Sequence, residues 1–465
     1  MSAKWQWILW TVMTVGLTAY LGISLIAQPS RVAGTFLPGE TTHGHYQIEL
    51  QCNECHTAGA GVRQDACTRC HGKDLKRDND THPRSKFTDP GKAHLVKRLD
   101  GRSCISCHRE HVPERTLAMG LSLPGDYCWH CHQEVGEERP SHKGMAYDSC
   151  ATAGCHNYHD NRALFEGFLV KHYGEPEMLD EQRVPERTLA AEWKEENPEA
   201  KPLTVAEQDA PAEAAEDAEL IRQWAETAHA AAGVNCTACH SGDDAAWFDK
   251  PDHNACRGCH GDQVDQFTKG RHGMRLAVGL SPMTPGQARL PMHAGVAHRE
   301  LSCVACHDSH RFDTAYAAAD ACKKCHNDDH TRAYDASPHA ELWRAEVAGD
   351  AAPGTGVSCA TCHMPRERDG DRVFVQHNQN NNLRPNEKMV TSACSSCHGL
   401  QFSLDSLADA DLVRRNFDGP PSGHVDSIDM AKAWVDERAR LREERKKKQQ
   451  ARQTAASESG AKPGA

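Results

Sequence analysis

Cys52-Asn-Glu-Cys55-His56 sets two thiols three residues apart with an imidazole directly after the second. The same C-x-x-C-H pattern recurs at Cys67, Cys70 and His71; at Cys104, Cys107 and His108; at Cys128, Cys131 and His132; and at Cys236, Cys239 and His240. It continues at Cys256, Cys259 and His260; at Cys303, Cys306 and His307; at Cys322, Cys325 and His326; at Cys359, Cys362 and His363; and at Cys394, Cys397 and His398. Cys150, Cys155 and His156 repeat the theme with a longer loop, C-x4-C-H, so the eleven motifs absorb all 22 cysteines of the chain. Two thiols at this spacing can add to the two vinyl groups of one haem, and the following His is then carried under the iron as an axial ligand.

Three other chemistries use paired cysteines, and none explains the pattern. A disulfide framework gives no reason for a His after every pair. Zinc knuckles need two such pairs per metal, and again no fixed His. A redox C-x-x-C occurs once or twice within a βαβ unit. The expected cofactor is therefore covalent haem c, about eleven per chain.

Eleven of the 30 histidines are spoken for as proximal ligands, which leaves nineteen to supply second axial ligands. The candidates are His43, His45, His82, His94, His111, His142, His159, His229, His253, His272, His298, His310, His330, His339 and His377. Several stand three or four residues after a motif or shortly before one. A distal His commonly reaches a neighbouring haem, so spacing does not say which candidate serves which iron.

The elements that hold these groups must be small. Hydrophobic residues make up 38% of the 465 positions and aromatics 6%, thin for an ordinary core of this size. The expected fold is mainly α with much irregular loop, a polypeptide wrapped around a closely packed haem chain, plus one N-terminal transmembrane helix. Residues 5–27 carry no charge; as a helix at about 1.5 Å per residue they span roughly 34 Å, enough for a bilayer core, with Trp5, Trp7 and Trp10 at one end. A cleaved signal peptide is the rival reading. Either way the bulk of the chain is expected in the periplasm, and uncleaved that single helix holds it to the inner membrane.

The motifs divide the chain into an anchor, 1–30; a five-motif half, 31–174; an acidic linker and helix rich in Glu, Ala and Pro, 175–224; a six-motif half, 225–427; and a charged helix with a disordered tail, 428–465. Val112-Pro-Glu-Arg-Thr-Leu-Ala118 recurs identically at 184–190. The formal net charge of −12 excludes nucleic acid as a partner, since phosphate binding wants a basic stripe.

The first half resembles class III tetrahaem cytochromes, on Cys104-Ile-Ser-Cys107-His108-Arg-Glu-His111, the C-x4-C-H variant and the free His upstream of motif pairs. The second half resembles the hydroxylamine oxidoreductase and pentahaem nitrite reductase superfamily, on His339-Ala-Glu-Leu-Trp343, Cys359-Ala-Thr-Cys362-His363-Met364-Pro365, His377 and Cys394-Ser-Ser-Cys397-His398. The resemblance implies bis-His electron-carrying haems in the first half and makes His377 a distal ligand in the second. It also implies a possible catalytic haem, but no motif here ends in Lys and the last Tyr is Tyr334, so neither of that superfamily's usual catalytic ligations is present.

The expected function is electron transfer along the haem chain, with a quinol oxidase or another cytochrome as donor and a periplasmic acceptor. The alternative is an oxidoreductase of small nitrogen or sulfur oxyanions at one open haem in 225–427, with Arg271, Arg275 or Arg384 as anion partners.

Overall fold

The computed structural model describes residues 3–27, 37–78, 82, 84–117, 120–139, 142–144, 157–159, 166–242, 246–383 and 386–460. Cys150, Cys155, His156 and Arg384 fall outside these. Among the described residues the chain is mainly helical, with two short antiparallel hairpins, and it clusters into two compact units. The first comprises Met1–Asp74 and Pro83–Pro124, the second Leu75–His82 and Gly125–Ala465.

A helix, α1 (Ala3–Ala27), covers the uncharged N-terminal run. Among the described residues no helix is long and apolar enough to cross a membrane, which corrects the expected transmembrane span. Thr11, Thr14, Gly16, Thr18, Tyr20 and Gly22 dilute its apolar residues, and each lowers the gain on transfer to hydrocarbon.

The remaining helices are short, and many are built on the motifs. In α2 (Gln64–Arg77), Cys67, Cys70 and His71 stand at i, i+3 and i+4, so two thiols and an imidazole share one helix face. In the second unit α3 (His253–Lys269) does the same for Cys256, Cys259 and His260; the Asp252 carboxylate caps it by accepting from Asn254 N, and the backbone kinks at His260. Cys303–His307 and Cys359–His363 form single helical turns of their own.

The helix α4 (Pro338–Ala348) delivers His339. Pro338 opens it, Gly349 closes it in the left-handed region at φ 81°, and Ser337 caps it. Ser337 is fully buried; its hydroxyl donates to Tyr334 O at 2.7 Å and accepts from Ala340 N at 3.2 Å. Ser337→Ala should therefore cost about 1–2 kcal/mol, seen as a lower urea midpoint at unchanged m-value. An unmoved midpoint would show that the cap is dispensable.

The apolar core is small and lies in the second unit. Leu169, Val390, Leu400, Leu404 and Ile428 form one cluster, Ile221, Trp224 and Ala230 another, and Ala319, Tyr334 and Ala340 a third. Among the described residues of the first unit the fully buried ones are Thr41, Thr42, Gln47 and Ser122, all polar. A unit without one fully buried apolar side chain lacks the usual driving force for folding, so its interior needs a further apolar group.

Two expectations change here. The segment read as a solvated linker is bonded along the second unit: Leu179 N donates to Cys397 O, Val184 N to Gly354 O and Thr188 N to Val373 O. Its Pro- and Glu-rich composition describes its outer side chains, whereas its backbone supplies the partners that the motif loops need. The tail read as disordered continues a helix, α5 (Ser427–Gly460). Its Ala, Gln, Arg and Lys are strong helix formers, and Ile428 anchors its start in the core.

Candidate metal centres

Among the described residues, nine motif histidines each face a second histidine from elsewhere in the chain. In the first unit His71 faces His45, ring centroids 6.0 Å apart, and His56 faces His111 at 6.4 Å. In the second unit the pairs are His132 with His82 at 6.0 Å, His260 with His229 at 5.9 Å, His240 with His310 at 5.9 Å and His326 with His272 at 6.2 Å. His307 faces His377 at 6.3 Å, His363 faces His330 at 6.0 Å and His398 faces His339 at 6.3 Å. Two imidazoles sharing one metal through bonds of about 2 Å hold their ring centres about 6 Å apart. The spacing therefore fits an iron between each pair. Imidazoles touching only each other would stack more closely.

Burial keeps these rings in the form that binds metal. It pushes His272, His307, His339 and His363 down to about 4, helped by a neighbouring imidazole in each case, so they are neutral at working pH. Burial also pushes the Cys306, Cys362 and Cys394 thiols up to about 12. The twenty described cysteines are free of disulfides.

The thiols order the motifs in space. In the second unit Cys239 lies near Cys256 and Cys259, the Cys256 thiol lies beside Cys303, and Cys306 lies near Cys322 and Cys325. Cys322 then lies beside Cys359, and Cys362 lies near Cys394 and Cys397. Six motifs thus form one string in sequence order. In the first unit Cys55 lies near Cys70, and Cys67 lies beside Cys104.

The same pairing scheme occurs twice. His45 stands seven residues before Cys52, and His229 seven before Cys236; each faces the second motif of its set, at His71 or His260. His111 and His310 each follow the third motif's His by three residues and face the first motif, at His56 or His240. Both adopt a left-handed backbone, φ 62° in each. For a non-glycine residue that costs about 1–3 kcal/mol and needs support from its surroundings. Gly39 gives His111 that support: its carbonyl accepts from His111 Nδ1 at 2.7 Å, and a Cβ there would stand 2.7 Å from His111 O.

Family models match the same two stretches. Cytochrome c3 matches residues 44–133 and again 228–327, and cytochrome c552 matches 336–407. No curated protein matches the chain. The matches support a multihaem c-type cytochrome with covalently bound haem c. The cytochrome c3 likeness extends into the second half, where the sequence reading had placed only the nitrite reductase type. The C-x-x-C-H spacing and His offsets common to both halves were the available signal.

Other expected distal ligands stand differently. His43 stacks on Tyr46 at 5.9 Å, and His159 packs edge-on to Tyr158 at 5.1 Å. His142 is half-buried, its pKa lowered by burial and then by Arg139 and His132. Among the described residues no motif histidine is placed against His94, His253 or His298. Of the arginines offered to an anion, Arg271 donates to Asn380 Oδ1 at 3.1 Å and Arg275 to Ser281 O at 2.9 Å.

Sequence reasoning missed Glu110. Its carboxylate lies 2.6 Å from His45 Nδ1 and accepts from Thr42 N and Thr42 Oγ1. Burial alone would raise its pKa, but the bonds from His45 and Thr42 outweigh that and lower it. An acidic residue between His108 and His111 was the signal on offer.

Proposed function

We propose that this chain is an undecahaem electron carrier whose haems are mostly held between two histidines. The observation that carries this reading is the nine His–His pairs at iron-spanning distance, each joining a C-x-x-C-H histidine to one from another segment. Haem, when bound, supplies reversible one-electron chemistry. The chain's cysteines would anchor it, its paired histidines would hold the iron, and their buried surroundings would tune the potentials. With six motifs strung from Cys236 to Cys397, electrons would pass from motif to motif in sequence order. Redox proteins are the partners we propose at its ends, outside the cytoplasm; the uncharged run 5–27 suits an export leader.

The cytochrome c552 match at 336–407 favours a second reading, a reductase or oxidase of small nitrogen or sulfur oxyanions. Such chemistry needs an open axial position. In that part of the chain His339 faces His398 and His377 faces His307, so both rings of each pair are already set for a metal.

Pyridine haemochrome quantitation against protein mass should give close to eleven haems, and Cys150→Ser should remove one. Low-temperature EPR of the oxidised protein should be dominated by low-spin signals. A haem count near zero sinks the reading; one strong high-spin signal with CO binding in the unmutated protein would favour the oxyanion enzyme.

A further inference from the structure

The duplicated pairing scheme differs in a charge at one of its corresponding histidines. His45 and His229 occupy the same place in the two sets, yet their surroundings diverge. His45 Nδ1 meets the Glu110 carboxylate at 2.6 Å, and Thr42 holds that carboxylate through its backbone N–H at 2.6 Å and its hydroxyl at 3.0 Å. His229 packs edge-on to Phe312 at 4.6 Å, and among the described residues no carboxylate bonds to it. Elsewhere the outer nitrogen of a paired His meets a neutral carbonyl: His82 that of Tyr158, His111 that of Gly39 and His377 that of Val375. Asp328 stands 4.0 Å from His326 Nδ1, beyond hydrogen-bonding reach.

A carboxylate that accepts the Nδ1–H of an axial imidazole draws negative charge onto the ring and makes its other nitrogen a stronger donor. The stronger donor and the nearby negative charge both favour the more positive, oxidised iron over the reduced one. A neutral carbonyl does this less, and a phenyl edge not at all.

We infer that Glu110 is a positioning residue that aims His45 at His71 and makes the centre between them harder to reduce than its counterpart between His229 and His260. This rests on the reading of His45 and His71 as two ligands of one iron. The duplication would then have yielded two sets with one ligand scheme and different potentials. Thr42 completes the device by holding the carboxylate against His45 through its backbone N–H and its hydroxyl.

The test is a spectroelectrochemical titration of the full, haem-loaded protein with Glu110→Gln and Glu110→Asp. In Glu110→Gln one negative wave should move positive, so that at the poise where the unmutated centre is half reduced the reduced-to-oxidised ratio rises about tenfold, or 59 mV for one electron. One low-spin EPR signal should change with it, while Glu110→Asp, which keeps the charge, should hold both near their original positions. With every haem present, superimposed titration curves for Glu110→Gln and the unmutated protein would overturn the inference. Should Glu110→Gln lose haem, Thr42→Val decides: with one donor fewer holding the carboxylate against His45, its wave should move positive, in the same direction as Glu110→Gln but by less, and an unmoved wave overturns the inference. The haemochrome count of the unmutated protein separates this outcome from failure of the haem reading itself.

Discussion

Replacing His330 by Gly should open one of the nine paired centres. His330 faces His363 at 6.0 Å, and His363 is deeply buried and neutral, so the variant keeps the proximal imidazole and loses only the distal one. One haem should turn from six-coordinate low-spin to high-spin. About one equivalent of CO should bind per reduced chain, where the paired centres of the unmutated protein bind none. The substitution leaves a space the size of the lost ring, so free imidazole should restore the low-spin signal. A variant that stays low-spin and inert to CO would show that His330 is not an axial ligand. The same variant bears on the oxyanion reading, because it creates the open position such chemistry requires.

Acid should destabilise the protein well before its carboxylates are protonated. His272, His307, His339 and His363 are held at about 4 in the fold, chiefly by burial, against an ordinary value of 6.5. Between these limits the unfolded chain binds protons that the folded chain does not, so stability rises with pH across the window. The contribution is fully present above about 6.5 and is lost as pH falls toward 4, on the order of 3 kcal/mol for each of the four. Metal ligation works in the same direction, since only the neutral imidazole binds. Guanidinium midpoints followed by far-UV circular dichroism should fall steeply between pH 7 and pH 4.5. A flat profile over that range would mean that these rings are not buried neutral in the folded protein.

The seven residues shared by 112–118 and 184–190 show how far a local sequence reaches. In the first copy Pro113–Arg115 form an isolated 3-10 turn, and Thr116 Oγ1 donates back to Val112 O. In the second, Val184 is buried and donates to Gly354 O, while Thr188 exchanges hydrogen bonds with Val373 beside a hairpin. Identical side chains take different roles because their partners lie far along the chain. Leu400–Ala408 and Ala410–Arg414 form two helices rather than one for a local reason: Asp409 leaves the helical region and caps the next turn through Leu412 N.

The sequence by itself determined the attachment chemistry. C-x-x-C-H is legible because its three groups stand at i, i+3 and i+4, and one turn of helix presents them together whatever surrounds it. It also determined that the chain is short of apolar residues and needs another group to build an interior, as the polar burials at Thr41, Thr42, Gln47 and Ser122 now illustrate. Only the tertiary structure decided which second histidine meets which motif. His339 comes to His398 and His377 to His307 across long stretches of chain, and their intervening sequence carries no periodicity that encodes the meeting. The same holds for Glu110 and His45, and for the carbonyls that fill the outer nitrogens of His82, His111 and His377. Such partners depend on where backbone loops close, and loop closure is governed by packing over the whole unit rather than by the residues at either end.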